Sequence, residues 1–439
     1  MKQIRITYAA TITLLTLLWL LADPFLFSPY EFFAFRASMI NYTGIAAIGT
    51  MSVAMVLALR LTFIETRVGG LDKAYRLHKW LGITGFIFAI FHFLLANIPK
   101  IVIEEADLKQ AATELQASLL PVFQNHLTLA EEFGDWGFKA LVVLLLIALV
   151  KRLSYRIFVL SHRLLSPLYL FLVIHTVILM KTSYWSNALA PIMVVLMIAG
   201  TVAAVVSMLG KVGYGKRGVG EIERFEYLEN NTVLKVGIRM RSRWDGHEEG
   251  QFAFLTFDKR EGAHPFTIAS AWTGDGAIGF FIKALGDYTK TLPSVIKVGD
   301  LVMVEGPYGR FHFDSDKKRQ IWIAGGIGIA PFVARIKALR NHPQDKQIDF
   351  FYSASKSDDE QFLGMIKKEA LNANIQVHIL RSNIDGRLDA DKVCAAVPYW
   401  KEAEVLFCGP TAFGDALLKG FTDKGFPEVH FHRELFDMR

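Results

Sequence analysis

Four histidines lie in apolar stretches of the first half of the chain, arranged as two pairs. His78 and His92 are fourteen residues apart in "LHKWLGITGFIFAIFHFLL", and His162 and His175 are thirteen apart in "SHRLLSPLYLFLVIH". Fourteen helical residues cover about 21 Å, which is most of the ~30 Å apolar thickness of a bilayer. Two imidazoles at each of two depths can ligate one iron per depth, so the spacing predicts two bis-histidine haem sites.

A membrane histidine can instead be a hydrogen-bonded packing residue. Ionisable groups are costly inside apolar helices, and two pairs at matched depth favour ligation over packing. A spacing of thirteen residues turns His175 away from the helix face that carries His162. We expect Pro167, which lies between them, to distort the helix and re-aim the second ring.

The elements that must position these histidines are helices long enough to cross a membrane. Basic residues cluster at alternate ends of the apolar segments, and the positive-inside rule places those ends and the second half of the chain in the cytoplasm. In this orientation His78 and His162 form the inner pair, near the cytoplasmic end, and His92 and His175 form the outer pair. The loop at about 98–135 then faces outward and is acidic; we interpret it as a solvated surface, with the concentration of a cationic substrate as the alternative. Six crossings are expected, at about 7–27, 40–63, 78–97, 137–151, 157–180 and 190–210.

Composition excludes several classes of protein. The 439 residues are 52% hydrophobic with a net charge of +6, but the basic residues flank apolar segments, so we expect lipid and no nucleic acid as a partner. Only Cys394 and Cys408 are present, which excludes a disulfide framework and a cysteine metal site. The amino terminus resembles a signal peptide, yet no small-x-small cleavage site follows, and we expect an uncleaved first helix in the plasma (inner) membrane.

The second half of the chain reads as a soluble protein. Short alternating runs such as "TVLKVGIRM" predict an antiparallel β-barrel, and apolar strands that alternate with helical patterns then predict a parallel α/β sheet. The expected fold is a six-span helical bundle followed by these two domains. The predicted domains are residues 1–212, 213–313 and 314–439.

Paired histidines at these spacings, on the third and fifth of six helices, resemble the ferric reductase and NADPH oxidase family of transmembrane flavocytochromes. "FRASMINYTGIAAI" is similar to the family's outer segment, which implies that Arg36 lies near the outer haem and the acceptor. Without the family, Arg36 could equally be a snorkelling anchor. Ala96 stands where eukaryotic NADPH oxidases carry a further histidine, which argues against oxygen as the acceptor.

"HPFTIAS" resembles the family's FAD signature, and strand alternation points Phe266 and Ile268 one way and Thr267 and Ala269 the other. "IKALGDYT" resembles the segment that binds the FAD pyrophosphate, although an ordinary strand-to-helix turn is the alternative. The resemblance assigns FAD to His264, Pro265, Phe266, Thr267, Ile268, Ser270, Lys283, Gly286 and Thr289.

"GGIGIAPF" resembles the family's glycine-rich NAD(P)H segment, in which backbone amides approach a pyrophosphate at a helix start. "CGP" resembles the element beside the nicotinamide, where Cys408 is expected to be a packing contact rather than a nucleophile. The tail "HRELFDMR" resembles a segment with an acidic and an aromatic residue near the flavin, here Glu434 and Phe436. The remaining residues implied are Gly325, Gly326, Gly328, Pro331, Gly409 and Pro410.

The strand "IDFFYSAS" decides between the two nicotinamide cofactors. No acidic residue ends it to bind a bare ribose, whereas hydroxyls and cations are available for a 2′-phosphate, so NADPH is favoured over NADH. The candidate residues are Ser353, Ser355, Lys356 and Arg381.

Hydride carries two electrons and a haem accepts one, so a flavin must lie between them. The resemblance implies a transmembrane oxidoreductase that passes electrons from NADPH through FAD and two b-type haems to an outer acceptor. Ferric iron or a chelate is the expected acceptor, with oxygen as the first alternative and a quinone or a periplasmic protein as further alternatives. Two other readings are a haem-free transporter or sensor that binds nucleotide, and a soluble reductase on a simple anchor.

Overall fold

The computed structural model describes residues 2–23, 32–97, 105–150, 153, 155–228, 232–354 and 360–434. The chain divides into two compact units. The first comprises Met1–Gly69 and Lys73–Val212, and the second comprises Gly70–Asp72 and Gly213–Arg439.

The first unit is helical. Five of its described helical segments are long and apolar enough to cross a membrane: Gln3–Ala22, Ala34–Leu57, Leu71–Asn97, Tyr155–Leu179 and Leu189–Met208. Its α-helices are α1 (Lys2–Ala22), α2 (Phe32–Leu57), α3 (Thr62–Val68), α4 (Leu71–Asn97), α5 (Glu105–Ser118), α6 (Leu127–Leu149), α7 (Tyr155–Arg163), α8 (Leu165–Leu179) and α9 (Leu189–Met208).

The sixth crossing, predicted at 137–151, lies in the second half of α6, which begins ten residues before the prediction. The first half of α6 carries Glu131, Glu132 and Asp135, and Lys139 lies just past its middle. The prediction rested on apolar residues, so it did not include the charged first half of α6. Six crossings are expected from the sequence, and five of the described helical segments are long and apolar enough to be crossings. Helix α6 is the predicted crossing that is too charged to be counted with them.

The helix that carries His162 and His175 is interrupted, as the sequence predicted. Helix α7 ends at Arg163 and α8 begins at Leu165, and the Leu164 amide bonds to the carbonyl of Ser161, three residues back. Pro167 has no amide hydrogen to give to the Arg163 carbonyl, so the regular ladder fails at this turn. The tightened turn changes the rotation between the two histidines.

The second unit begins with a six-stranded antiparallel sheet in the order β4-β3-β6-β1-β2-β5. A β-bridge between Ile268 and Phe280 joins β4 to β5 and closes the barrel. Beside it, the Ala269 amide donates a hydrogen bond to the Gly279 carbonyl (2.8 Å). Alternate strand residues fill its core, which is why the sequence showed a period of two. The strands are β1 (Arg217–Leu228), β2 (Val233–Met240), β3 (Phe252–Thr256), β4 (His264–Thr267), β5 (Ala277–Lys283) and β6 (Leu301–Tyr308), and α10 (Asp287–Val295) follows β5.

A five-stranded parallel sheet follows, in the order β11-β10-β7-β8-β9. Successive residues of β7 face opposite cores: Trp322 packs with α11 and α12, and Ile323 packs with α13 and α14. This is the doubly wound layout expected of a dinucleotide-binding domain. The elements are β7 (Arg319–Gly325), α11 (Ala330–Asn341), β8 (Gln347–Ala354), α12 (Glu360–Asn372), β9 (Gln376–Arg381), α13 (Ala390–Ala396), β10 (Glu404–Cys408), α14 (Thr411–Asp423) and β11 (Phe431–Arg433).

Replacing Phe332 with alanine should destabilise the second unit strongly. Phe332 is 0% exposed, and its ring lies 5.3 Å from that of Phe350 and 5.6 Å from that of Trp322. Loss of such a ring costs about 3–5 kcal/mol in unfolding free energy, because a cavity replaces its contacts. Denaturant unfolding followed by circular dichroism measures the loss.

The matched control is Leu371→Ala, on the exposed surface of α12, where the residue is 78% exposed. Its unfolding free energy should change by no more than about 0.5 kcal/mol. Equal losses in the two variants would contradict the assignment of Phe332 to a packed core.

Candidate functional site

The structure brings the four membrane histidines together in the two predicted pairs. The ring centroids of His92 and His175 are 6.1 Å apart, and those of His78 and His162 are 5.9 Å apart. Two imidazoles that bind one metal from opposite sides, at about 2.0–2.1 Å each from nitrogen to metal, place their ring centres roughly 6 Å apart. Both pairs therefore have the spacing that a shared iron requires.

Three of the four imidazoles donate a hydrogen bond from Nδ1 to a backbone carbonyl. His78 donates to Ala54 (2.8 Å), and His92 donates to Ile40 (2.9 Å). His175 donates to Ala130 (2.7 Å). A carbonyl can only accept, so Nδ1 carries the hydrogen and Nε2 keeps the lone pair that a metal binds.

The fourth imidazole, His162, is held differently. Its buried Nδ1 has no hydrogen-bond partner among the described residues, and its ring stacks on Phe158 at 5.2 Å with 21° between the planes. The inner pair thus has one hydrogen-bonded ring and one stacked ring.

Two glycines make room for the outer imidazoles. A Cβ at Gly44 would lie 3.2 Å from Cε1 of His92, and a Cβ at Gly134 would lie 2.5 Å from Cε1 of His175. A side chain at Gly134 would collide with the ring, so helix α6 approaches His175 as closely as its backbone permits.

A cavity of about 980 Å³ in the first unit is lined by both outer histidines and by Arg36. This volume is at the upper end of that of ordinary ligand sites. Arg36 donates from Nε to the Leu95 carbonyl (2.9 Å) and from Nη2 to the Ala96 carbonyl (3.0 Å). It therefore caps the carboxyl end of α4 while it faces the cavity.

One part of the cavity wall is polar and mostly acidic. Glu114, Glu131, Glu132 and Asp135 line it, and Lys181 adds a second cation besides Arg36. The Lys181 ammonium bonds to Asp23 at 3.2 Å, which partly neutralises it. The four carboxylates outnumber the two cations, so the electrostatic potential at this wall is negative despite Arg36.

Within the barrel, the strand expected to bind flavin exposes only part of its residues. His264, Pro265, Phe266 and Thr267 are half-buried, whereas Ile268 is fully buried in the barrel core. The assignment of Ile268 to FAD is corrected for its side chain, because a side chain with no exposed surface cannot contact a ligand. Burial also lowers the pKa of His264, whose ring stacks on Tyr288 at 4.9 Å.

Ser270 also serves the barrel. Its hydroxyl accepts a hydrogen bond from the Gly279 amide (2.9 Å) across the closing seam. Thr289 likewise accepts from the Gly286 and Leu285 amides at 3.0 and 3.1 Å, which fixes the start of α10. Both hydroxyls thus hold backbone in place, and space around Gly286 is open on its Cβ side.

Lys283 and the glycine-rich loop approach each other within the second unit. A Cβ at Gly326 would lie 3.8 Å from the Lys283 ammonium, with no other heavy atom within 4 Å. Gly326 has a φ of 56°, a backbone conformation that glycine favours. The loop therefore faces open space beside a cation, as a site for a diphosphate requires.

The glycine-rich loop and "CGP" meet where the strand order reverses. They follow the neighbouring strands β7 and β10, and this switch point is where doubly wound sheets bind ligands. A Cβ at Gly328 would lie 2.2 Å from the Cys408 carbonyl oxygen, and one at Gly325 would lie 3.1 Å from Pro410. A Cβ at Gly409 would lie 3.1 Å from the Gly325 amide nitrogen.

Cys408 has no exposed surface, and burial together with the charge of Glu434 raises the pKa of its thiol. The thiol is therefore a packing group inside the domain and not a thiolate nucleophile. The expected contact of its side chain with the nicotinamide is corrected for the same reason as that of Ile268, since the side chain has no exposed surface. Pro331 is buried at the start of α11 and fixes the first turn of that helix. Ser355, Lys356 and Phe436 lie outside the described residues.

Ser353 pairs with Gly325 in the β7–β8 register, and Arg381 ends the next strand, so both lie at the carboxyl edge of the sheet. The Arg381 guanidinium forms an ion pair with Glu360. The backbone amide of Arg381 donates a hydrogen bond to the Asp385 carboxylate (2.8 Å). The sequence analysis missed these two carboxylates. They come from segments that fold back to the strand ends, and strand patterns do not reveal that.

Sequence reasoning also missed the backbone partners of the histidines. Ile40, Ala54 and Ala130 act through carbonyl oxygens, so their side chains give no chemical signal. Gly44 did leave a signal, which is a small residue inside an apolar helix, whereas Gly134 lies in the charged first half of α6 and left no such signal.

Comparison with known families agrees with this geometry. Residues 43–173 match the ferric reductase like transmembrane component, and residues 221–312 match an FAD-binding domain. The first match includes His78, His92 and His162. The pair of matches shows the architecture of ferric reductases and NADPH oxidases, a transmembrane component followed by an FAD-binding domain.

Known proteins of similar sequence include the following two. Flavohemoprotein A of Dictyostelium discoideum is 25% identical over 154 residues, 34% of this chain and 39% of that protein. The toluate 1,2-dioxygenase electron transfer component of Pseudomonas putida is 25% identical over 197 residues, 43% of this chain and 58% of that protein. The chain thus spans between two fifths and three fifths of the length of these relatives.

Among solved structures, the FAD/NAD-binding domain of nitric oxide dioxygenase from Vibrio cholerae O1 biovar El Tor is similar. It is 15% identical with a TM-score of 0.44, and the match covers 50% of this chain and 98% of that domain. The family and sequence matches support FAD and NAD(P)H as cofactors.

Alkylation should distinguish the two cysteines. Cys394 is partly exposed and Cys408 is buried, so iodoacetamide should modify Cys394 in the native protein and leave Cys408 intact until the protein unfolds. Mass spectrometry of the digested protein measures both sites. Native labelling of Cys408 at the rate of Cys394 would refute its role as a packing group.

Proposed function

We propose that this protein carries electrons across a membrane, from NADPH through FAD and two b-type haems to ferric iron or a ferric chelate on the outer side. The observation that carries the proposal is the presence of two histidine pairs with centroid separations of 5.9 and 6.1 Å. When bound, the flavin would accept hydride and the haems would accept single electrons.

The histidines support ligation rather than packing. Each of His78, His92 and His175 already satisfies Nδ1 with a carbonyl, which leaves Nε2 without a protein role. A packing histidine would be expected to use both nitrogens when buried. An iron between the rings of each pair would satisfy every remaining Nε2.

The six-crossing topology belongs to this proposal, with α6 as the sixth crossing despite its charges. Ala130 and Gly134 of α6 meet His175, and Gly137, later in α6, lies against Leu172, one turn before His175 in α8. Helix α6 therefore runs antiparallel to α8 from the level of the outer histidines inward. Its charged first turns would lie at the outer surface, and the FAD and NADPH domains would be cytoplasmic in the plasma membrane.

The cavity beside the outer histidines supports a metal acceptor. Its acidic wall would raise the local concentration of a cationic iron species, and Arg36 would face an anionic ligand of a chelate. Ala96 gives no hydrogen-bond donor where oxygen reduction would benefit from one. Superoxide formation is the second candidate, because the same cavity is large enough for oxygen.

Replacing His92 with alanine should abolish transmembrane reduction. The variant should lose one of the two haems, because a single imidazole of the outer pair remains. In proteoliposomes given NADPH, reduction of external iron chelate should fall at least 100-fold. Reduction of a soluble dye by NADPH and FAD on the cytoplasmic side should continue.

The matched control is His264→Ala in the barrel, which should keep both haems and weaken FAD retention instead. Persistence of external reduction in His92→Ala would favour the simple-anchor reading, and absence of haem from the wild type would favour the transporter reading. A higher wild-type rate for superoxide than for iron reduction would favour oxygen as the acceptor.

Replacing Arg381 with alanine should weaken selectivity for NADPH. Arg381 lies at the strand end where a 2′-phosphate would bind, and loss of one charged contact costs about 1.5–3 kcal/mol. The KM for NADPH should rise roughly tenfold or more, and that for NADH should change little. Steady-state dye reduction measures both constants.

The control is Arg340→Ala on α11, whose guanidinium pairs with Glu369 at 3.3 Å. It should leave both KM values unchanged. An equal rise for NADPH and NADH in Arg381→Ala would show that Arg381 does not read the 2′-phosphate.

A further inference from the structure

The two histidine pairs differ in the angle between their rings. The planes of His92 and His175 are 90° apart, and those of His78 and His162 are 67° apart. In a low-spin ferric haem, parallel axial imidazoles donate into the same iron dπ orbital and split the pair, whereas perpendicular imidazoles leave it nearly degenerate. The ring angle therefore sets the magnetic anisotropy of the iron and contributes to its reduction potential.

The outer rings are locked at their angle from two directions. Each Nδ1 donates to a carbonyl of a neighbouring helix, His92 to Ile40 and His175 to Ala130. A backbone hydrogen bond in the ring plane fixes rotation about the Cβ–Cγ bond. The backbones of Gly44 and Gly134 then press against the rings, where a Cβ would lie 3.2 Å and 2.5 Å away.

The inner rings are held less fully. His78 donates to Ala54, but His162 has no such acceptor within the part of the chain that the structure describes and rests on Phe158 instead. A stacked ring can still rotate within its own plane, whereas a hydrogen bond from Nδ1 fixes that rotation. The two pairs are thus inequivalent in both angle and restraint.

We infer that Gly44 and Gly134, with the Ile40 and Ala130 carbonyls, are positioning residues that hold the outer haem's axial imidazoles perpendicular. The outer haem is then a highly anisotropic low-spin centre, distinct from the inner one. This inference rests on the proposed bis-histidine haems. A perpendicular pair stabilises the ferric state less than a parallel pair, so the lock raises the potential of the outer haem above its unlocked value.

Low-temperature electron paramagnetic resonance of the oxidised full-length protein tests the inference directly. Two low-spin signals are expected, and the one at the higher g-max should disappear in His92→Ala, which assigns it to the outer haem. The wild-type spectrum alone tests the ring angle, so the inference does not depend on whether any glycine variant folds.

Gly134→Ala should move the outer signal to lower g-max, or remove it, and lower the outer midpoint potential in optical potentiometry. Its Cβ cannot fit without turning or displacing the His175 ring. Gly44→Ala, with a longer contact, should give a smaller shift. The control is Gly82→Ala in α4, whose Cβ would meet nothing within 4 Å; it should leave both signals unchanged.

The outcomes separate this inference from the proposed function. A wild-type protein without haem overturns both. Two haems with identical signals, or with the higher g-max on the inner haem, leave the ligation intact and overturn the perpendicular lock. Unchanged spectra and potentials in both Gly134→Ala and Gly44→Ala also overturn the role of the glycines.

Discussion

The hydrogen bond from a histidine Nδ1 to a helix carbonyl is the interaction on which the membrane unit depends. Such a bond crosses between helices, from α4 to α2 and from α8 to α6. It fixes which nitrogen carries the hydrogen and the direction in which the other points. It also ties neighbouring helices at the level of each histidine pair, so the bundle and the orientation of the imidazoles are specified by the same contacts.

In the membrane unit, the sequence predicted the features that depend on the type and spacing of side chains. The spacing of His78, His92, His162 and His175 predicted two levels, and Pro167 predicted a break that the structure shows between α7 and α8. Carbonyl acceptors leave no side-chain signature and were not predicted. The length of α6 was underestimated because its charged first turns lack apolar periodicity.

In the reductase unit, the sequence predicted the strands of the barrel and of the parallel sheet. The structure adds that the glycine-rich loop meets "CGP", because parallel strands end at one edge. The sequence did not predict which motif residues serve the fold. Ile268, Ser270 and Thr289 belong to motifs that resemble cofactor sites, yet their side chains pack or bond to backbone. A motif combines residues that touch a ligand with residues that shape the chain around it, and only coordinates separate the two.

The closing seam of the barrel has a further consequence. Strands β4 and β5 meet through one bridge and a few adjacent bonds, and β4 is also the strand expected to meet the flavin. A ligand that binds along that strand favours the closed over the open barrel by mass action. Cofactor supply would then control the folding yield of this protein, so apoprotein made in flavin-poor cells would be more readily degraded.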